Sequence, residues 1–162
     1  MSDGDRPYAL SLRSRPRRNR KNATIRGFHR ETRVGPEHFI YPLFVHEGDA
    51  DEPIASMPGC ARLSLAGLLR EVEAARAVGV NAVVLFPKVP DALKTADGRE
   101  SYNPDGLIPR CLRALKERWP DLVTVTDVAL DPYSSDGHDG LVAPDGRILN
   151  DETVEVLCKQ AL

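Results

Sequence analysis

The sequence contains few of the residues that mark disulfide-rich or membrane-spanning proteins. Only three of its 162 residues are cysteines, and none of them has C-x-x-C spacing. A zinc knuckle and a disulfide framework are therefore not indicated, and a reducing compartment is expected. No apolar run approaches the ~18 to 20 residues that a membrane-spanning helix needs, and the polar residues 1–5 do not resemble a secretory signal. We therefore expect a protein that is neither secreted nor embedded in a membrane.

Basic residues are concentrated near the amino terminus. Residues 13–33 hold nine Lys/Arg and a single acidic residue, Glu31, whereas the remainder holds 13 basic and 23 acidic residues. A basic arm on an acidic body suggests self-association or an anionic partner. Aromatic residues do not alternate with these arginines, so nucleic acid is not an expected partner. A solvated, disordered tail remains the alternative for this segment.

Apolar strands and amphipathic helices alternate along the rest of the chain. Strands are predicted at 39–45, 80–86 and 122–130 from their β-branched and aromatic content. One helix is predicted between an N-cap at Ser64 and a terminating Gly79, and another ends before Pro120. Residues 141–149 predict a short hairpin, and Asn150 or Asp151 is expected to cap a last helix. This order predicts a parallel sheet.

The repeat of about forty residues is typical of a (β/α)₈ barrel, which normally needs ~250 residues. The predicted fold class is therefore α/β, a partial (β/α)₈ TIM barrel with its first three βα units. Residues 36–162 would form this part, truncated in the third helix, and residues 1–35 an extended basic arm. An open three-stranded sheet exposes its edges, so we expect the chain to be a fragment or to borrow partners.

Polar residues lie at the carboxyl end of each predicted strand. Asp127 lies within the strand at 122–130 and Asp131 directly follows it, and strict alternation would place both on one face. A carboxylate in an apolar strand is costly unless it is paired or binds a cation, so Asp127 is a functional candidate. Asp139 lies in a glycine-rich loop, where an ordinary turn role is the alternative. For Lys88 and Lys94, a solvated role is favoured over imine formation.

Several motifs taken together resemble the porphobilinogen synthase family, also called delta-aminolevulinic acid dehydratase. The resemblance runs from about Arg15 to Leu162 and corresponds to the amino-terminal half of the family's barrel. The motifs are RPRRNR (15–20), YPLF (41–44), PIASMPG (53–59), LF (85–86), YNPDG (102–106), DVALDPYSSDGHDG (127–140) and LNDE (149–152).

The resemblance implies a lyase that condenses two molecules of 5-aminolevulinate to porphobilinogen, with loss of two waters, in haem and chlorophyll biosynthesis. Members of the family use two lysines that form Schiff bases with the substrates, and basic and hydroxyl residues that hold the substrate carboxylates. All of these would lie beyond Leu162. We therefore expect the isolated chain to be inactive, because without an imine there is no electron sink for carbon–carbon bond formation.

The resemblance also implies roles for particular residues. Asp127 matches a catalytic aspartate that helps proton transfer, and Phe86 matches an aromatic wall of the substrate pocket. Three zinc-binding cysteines of other members are replaced here by Ala129, Asp131 and Asp139. Carboxylates suit Mg²⁺ better than Zn²⁺, so a plant-like, magnesium-type member with metal ligands Asp131 and Asp139 is expected, and zinc is not. The alternative that the resemblance leaves open is metal binding only at allosteric positions in the second half of the family's chain.

Two further properties follow from the resemblance alone. The basic arm would embrace a neighbouring subunit in a homo-octamer, and the compartment would be the cytoplasm or the plastid stroma. Two other hypotheses stay open. The chain could be a non-enzymatic, truncated assembly partner of full-length subunits, or its basic arm could bind nucleic acid.

Overall fold

The computed structural model describes residues 13, 14 and 16–162. Residues 1–12 and Arg15, which belong to the predicted arm, lie outside the described residues. Contacts between residues divide the chain into two units, with the boundary between Val34 and Gly35.

The unit that ends at Val34 contains two short helical segments where an extended arm was expected. Residues Arg17–Arg20 form a 3₁₀ turn, and Ala23–Phe28 form helix α1. The Asn22 side chain explains the start of α1, because its Oδ1 accepts a hydrogen bond from the Ile25 backbone N–H at 2.9 Å. No residue of either segment is buried.

The second unit is built on a five-stranded sheet of order β2-β3-β1-β4-β5, in which only the β2–β3 pair is antiparallel. The parallel α/β architecture predicted from the sequence is therefore confirmed. The strands are β1 (Tyr41–His46), β2 (Glu52–Pro53), β3 (Ala61–Leu63), β4 (Ala82–Lys88) and β5 (Val123–Thr126). The helices are α2 (Leu65–Ala77), α3 (Leu107–Arg118) and α4 (Asn150–Ala161), with 3₁₀ turns at Pro36–His38, Asp91–Leu93 and Arg99–Tyr102.

Local sequence signals set the bounds of most helices. Ser64 caps α2 by accepting a hydrogen bond from the Gly67 N–H at 3.1 Å, and Gly79 follows its end with φ +93°, as predicted. Helix α4 differs from the expectation, because its N-cap is Leu149 and no side chain caps it. None of the described helices has the length and apolar character that crossing a bilayer requires.

The hydrophobic core lies between one face of the sheet and helices α2 and α3. Alternate residues of the two central strands point into it, while their neighbours Phe44 and Phe86 are only half-buried on the opposite face. The core residues of these elements are Leu43, Val45, Leu68, Val72, Val83, Leu85, Leu107, Cys111 and Leu115.

The strands of the structure differ from the prediction in two ways. Strands β2 and β3 were not predicted, because they have only two and three residues and carry no clear sequence pattern. Strand β5 is shorter than predicted and is not buried, since it pairs only with β4 among the described strands. Val123 is consequently 56% exposed. The short hairpin is confirmed by an antiparallel bridge between Val142 and Ile148.

Asp51 fixes the turn between β3 and α2. Its Oδ1 accepts hydrogen bonds from the backbone N–H and the hydroxyl of Ser64, at 2.9 and 2.8 Å, and its Oδ2 pairs with Arg70 at 2.8 Å. The Ser64 hydroxyl bond, more than any other favourable contact, holds the pKa of Asp51 below its ordinary value. Ser64 is buried, so it depends on this carboxylate for its hydrogen bonds.

Replacing Asp51 by alanine should therefore destabilise the chain by about 1 to 3 kcal/mol at neutral pH, the usual cost of unsatisfied buried donors. Because the folded state lowers the pKa of Asp51, this stabilisation is present above the ordinary aspartate pKa and is lost as pH falls through the lowered value. Urea unfolding should show a lower free energy of unfolding for D51A than for the wild-type chain at neutral pH. This difference should disappear in acid. Asp49→Ala, two residues away, is the matched control. An equal loss of stability in D49A would contradict the role assigned to Asp51.

Candidate active site

The carboxyl ends of β1 and β4 lie side by side, because the parallel register pairs Phe44 with Phe86 and His46 with Lys88. A cavity of about 350 Å³ opens at this edge of the sheet. We call it the mouth cavity. It is lined by Phe44, Arg62, Pro87, Lys88, Val89, Lys94, Asp131 and Pro132. Active sites of parallel α/β proteins form at this edge, which makes the cavity the candidate site.

Aromatic rings lie on the sheet face that points away from the helices. The ring centroids of Phe44 and Phe86 are 5.9 Å apart, with their planes tilted by 36°. Phe44 lines the mouth cavity, whereas Phe86, the residue predicted for the substrate pocket, supports it from the neighbouring strand. Phe44 and Phe86 therefore make this part of the site apolar.

Glu52 organises the polar groups at the strand ends. One of its carboxylate oxygens is 3.7 Å from Nδ1 of His46, and the other is 3.7 Å from Nζ of Lys88. The His46 ring is buried, and its Nε2 is 2.9 Å from the carbonyl oxygen of Ala50. His46 thus joins β1 to the following loop, while the adjacent Glu47 pairs with Arg110 of α3 instead of facing the cavity.

The cations around the mouth cavity differ in their partners. Lys88 pairs with Glu52, and Nζ of Lys94 is 2.8 Å from an oxygen of Asp91. Arg62 is half-buried, and among the described residues no carboxylate lies within ion-pairing distance of its guanidinium group. Sequence reasoning did not single out Arg62, because a lone arginine in a three-residue strand carries no recognisable pattern.

The loop after β5 brings the two predicted metal ligands together. Burial raises the pKa of Asp131, and a hydrogen bond from Asp139 together with the charges of Asp139 and Asp127 raises it further. Two carboxyl groups this close repel when both are ionised. The described residues contain no group of three or more His, Cys, Asp or Glu side chains placed to hold a metal, so this is a two-carboxylate arrangement.

Backbone contacts fix this loop at both ends. The Thr95 N–H donates to the Tyr133 carbonyl, and the Ser135 N–H donates to the Thr95 carbonyl, both at 3.1 Å. Farther along, the Thr153 hydroxyl accepts from the Leu141 N–H at 2.9 Å. Residues 135–139 between these anchors are exposed to solvent.

Asp127 does not share the mouth cavity with Asp131, contrary to the sequence prediction. Strand β5 ends at Thr126, so the alternation that would align the two carboxylates does not extend to them. Asp127 instead lines a second cavity of about 320 Å³ between β5, α3 and α4, together with Tyr133 and Gln160. Its charge still reaches Asp131, whose pKa it helps to raise.

Gln160 is a residue that sequence reasoning missed. Its Nε2 donates to the backbone carbonyls of Ala129 at 3.2 Å and Asp127 at 3.5 Å, which holds the segment between the candidate carboxylates against α4. Burial raises the pKa of the neighbouring Tyr133 to about 12. No spacing rule could have found Gln160, since more than thirty positions separate it from its partners in sequence.

Comparisons with known proteins give a consistent result. The family model for delta-aminolevulinic acid dehydratase matches residues 13–162. A chloroplastic delta-aminolevulinic acid dehydratase of Selaginella martensii is 64% identical over 154 residues, which cover 94% of this chain and 37% of that protein. An Arabidopsis thaliana relative of the same name is 60% identical, with 94% and 36% covered. The chain thus spans little more than a third of the length of these curated relatives.

A solved structure supports the same comparison. The Toxoplasma gondii delta-aminolevulinic acid dehydratase, crystallised with the reaction product porphobilinogen, matches with a TM-score of 0.89 and 56% identity. The match covers 94% of this chain and 44% of that chain.

The carboxylate pair makes a testable electrostatic prediction. Because the folded state raises the pKa of Asp131, ionisation of this group costs stability as pH rises above the ordinary aspartate value. Asp139→Asn should therefore stabilise the metal-free chain at neutral pH by about 0.2 to 1 kcal/mol, the range for partly exposed charge pairs. Thermal melts in the presence of a chelator should show that D139N is more stable than wild type at neutral pH. This gain in stability should vanish near pH 3 and decrease as salt is added. A D139N chain less stable than wild type at neutral pH would contradict this.

Proposed function

Because this chain belongs to the delta-aminolevulinic acid dehydratase family, we propose that it supplies the amino-terminal part of a porphobilinogen synthase. The enzyme is a lyase that condenses two molecules of 5-aminolevulinate to porphobilinogen and releases two waters. The observation that carries this proposal is the match over 94% of the chain to a structure that holds porphobilinogen.

The parallel sheet is the first part of a (β/α)₈ barrel in this proposal. Strands β1, β4 and β5, with helices α2, α3 and α4, make three βα units. The exposed β5 edge is where the next strand of the barrel would pair, and it would cover Val123. Residues 1–35 act as an arm that contacts a neighbouring subunit of a homo-octamer, which fits their excess of positive charge.

Asp127 and Phe86 have distinct roles in the reaction. Asp127 lies at the end of β5, where a carboxylate can accept and return a proton during the condensation. Phe86 stacks beside Phe44 and keeps the site apolar. The lysines at the mouth cavity, Lys88 and Lys94, are both ion-paired and are not the Schiff-base lysines of the family. The isolated chain is therefore inactive.

Asp131 and Asp139 hold Mg²⁺ in this proposal. Both are hard oxygen donors, and their mutual repulsion is relieved by a divalent cation. The loop after β5 contains no cysteine, so thiolate ligands for zinc are missing from it. Mg²⁺ would supply positive charge at the site. The chloroplastic names of the relatives support a location in the plastid stroma.

A chimera tests the enzymatic proposal. When this chain replaces the matched 154-residue segment of the Selaginella martensii enzyme, the chimera should form porphobilinogen from 5-aminolevulinate, whereas the isolated chain should not. Asp127→Asn should lower the kcat of the chimera by about 10² to 10⁴, the usual range for a lost proton-transfer group. Asp105→Asn, an exposed carboxylate on the turn before α3, is the control.

Either of two results would contradict the proposal. A folded chimera without porphobilinogen formation, and without a borohydride-trapped imine, would refute the function. An active chimera whose kcat is unchanged by Asp127→Asn would refute the role of that residue.

Magnesium binding is tested on the isolated chain. Mg²⁺ at ten times its Kd should stabilise the wild-type chain by about 1.4 kcal/mol through mass action, and Zn²⁺ at equal concentration should stabilise it less. Asp131→Asn and Asp139→Asn should each remove the response. Asp136→Asn, an exposed carboxylate of the same loop, is the matched control. Thermal melts with and without metal provide the measurement. A wild-type chain whose melting temperature does not respond to Mg²⁺ would contradict the assignment of Asp131 and Asp139 as ligands.

A further inference from the structure

We propose that Gln160 is a positioning residue for Asp127 in the proton-transfer step of the condensation. The inference rests on the proposed function, and it gives helix α4 a part in a reaction whose other groups lie on strands and loops. Gln160 does not touch the substrate. It fixes the stretch of backbone that carries the Asp127 carboxylate.

The backbone segment 127–129 connects two fixed points. On one side, the parallel ladder between β4 and β5 ends at Thr126. On the other side, Leu130 is buried, and its carbonyl oxygen accepts a hydrogen bond from the Tyr133 N–H at 2.9 Å. The three residues between these points belong to no strand or helix, so their carbonyl groups need hydrogen-bond partners from elsewhere.

Gln160 provides these partners. Its Nε2 donates to the carbonyl oxygen of Ala129 at 3.2 Å and to that of Asp127 at 3.5 Å. No backbone N–H and no other side chain of the described residues donates to either carbonyl. One amide nitrogen therefore holds the backbone on both sides of Val128, which restricts the direction in which the Asp127 side chain leaves the chain.

The geometry of α4 places Gln160 on the buried face of the helix. Thr153 and Val156 are both buried, and Gln160 follows them at spacings of seven and four residues, which share one helix face. The adjacent Lys159 is also held, because its Nζ lies 5.6 Å from the centroid of the Tyr102 ring. The end of α4 is therefore fixed against the protein, and the amide of Gln160 has a defined position.

Packing alone does not explain a glutamine at this position. Its Oε1 is buried and has no hydrogen-bond partner in the part of the chain that the structure describes. A buried amide oxygen without a partner is unfavourable, and an apolar side chain of similar length would fill the space without that cost. What an apolar side chain cannot replace is the amide N–H donor, which is the group that contacts the Asp127 segment.

The chimera described above provides the test, with Gln160→Met as the first variant. Methionine has a similar length and volume but cannot donate a hydrogen bond. The kcat of Q160M should fall by about ten- to hundred-fold, because a misplacement of about 1 Å can cost ~10²-fold in rate. KM should change little and borohydride should still trap the imine, since Gln160 contacts neither substrate nor lysine. Glu155→Met, at an exposed position of α4, is the matched control and should leave kcat unchanged.

A double-mutant cycle shows whether Gln160 acts through Asp127. If it does, Gln160→Met should lower kcat much less in a chimera that already carries Asp127→Asn. A glutamine that only supports the fold would lower kcat by the same factor in both backgrounds. If Q160M does not fold, Gln160→Glu replaces it, because an ionised carboxylate keeps the shape of the side chain but likewise cannot donate.

Crystal structures of the parent and variant chimeras add a readout that needs no turnover. Residues 127–129 should be displaced in the variant while β5 keeps its place. Three results would overturn the inference: an unchanged kcat in the variant, equal losses of kcat in the two backgrounds, or an unmoved 127–129 segment. Failure of the proposed function is a separate result, seen as neither porphobilinogen nor a trapped imine from a parent chimera with Gln160 intact. The crystal structures then still decide whether Gln160 positions this segment.

Discussion

The parallel pairing of β1 with β4 is the constraint on which the rest of the second unit depends. Its register runs from Tyr41–Val83 to His46–Lys88 and sends every second side chain of both strands into the core. The same alternation leaves Phe44 and Phe86 on the opposite face. A slip of one residue would exchange the two faces, exposing the core residues and burying the polar strand ends. The fold and the mouth cavity therefore share one determinant.

The candidate site combines charges that the fold does not neutralise by itself. Burial, together with the hydrogen bond and the charge of Asp139, raises the pKa of Asp131, so the loop after β5 brings two mutually repelling carboxyl groups together. A concentration of like charge is typical of sites that bind cations. A divalent cation would relieve the repulsion between Asp131 and Asp139, which links the electrostatics of this loop to the proposed function.

Local features of the sequence predicted local features of the structure. Ser64 and Gly79 marked the two ends of α2, because capping depends on only a few neighbouring residues. The sequence could not reveal that β5 is an edge strand ending at Thr126, since strand length depends on partners elsewhere in the chain. The pairing of Asp131 with Asp139 was expected from the family resemblance, but the separate cavity of Asp127 was not. Gln160 acts through contacts that no sequence period encodes.

The central claim is that the carboxyl ends of the parallel strands form the amino-terminal part of a porphobilinogen synthase active site. A crystal structure of the chimera with levulinate and Mg²⁺ tests this most directly. The account predicts levulinate at this edge of the sheet, beside Phe86, and the metal on Asp131 and Asp139. Levulinate bound away from this edge, with no metal on the two aspartates, would contradict it.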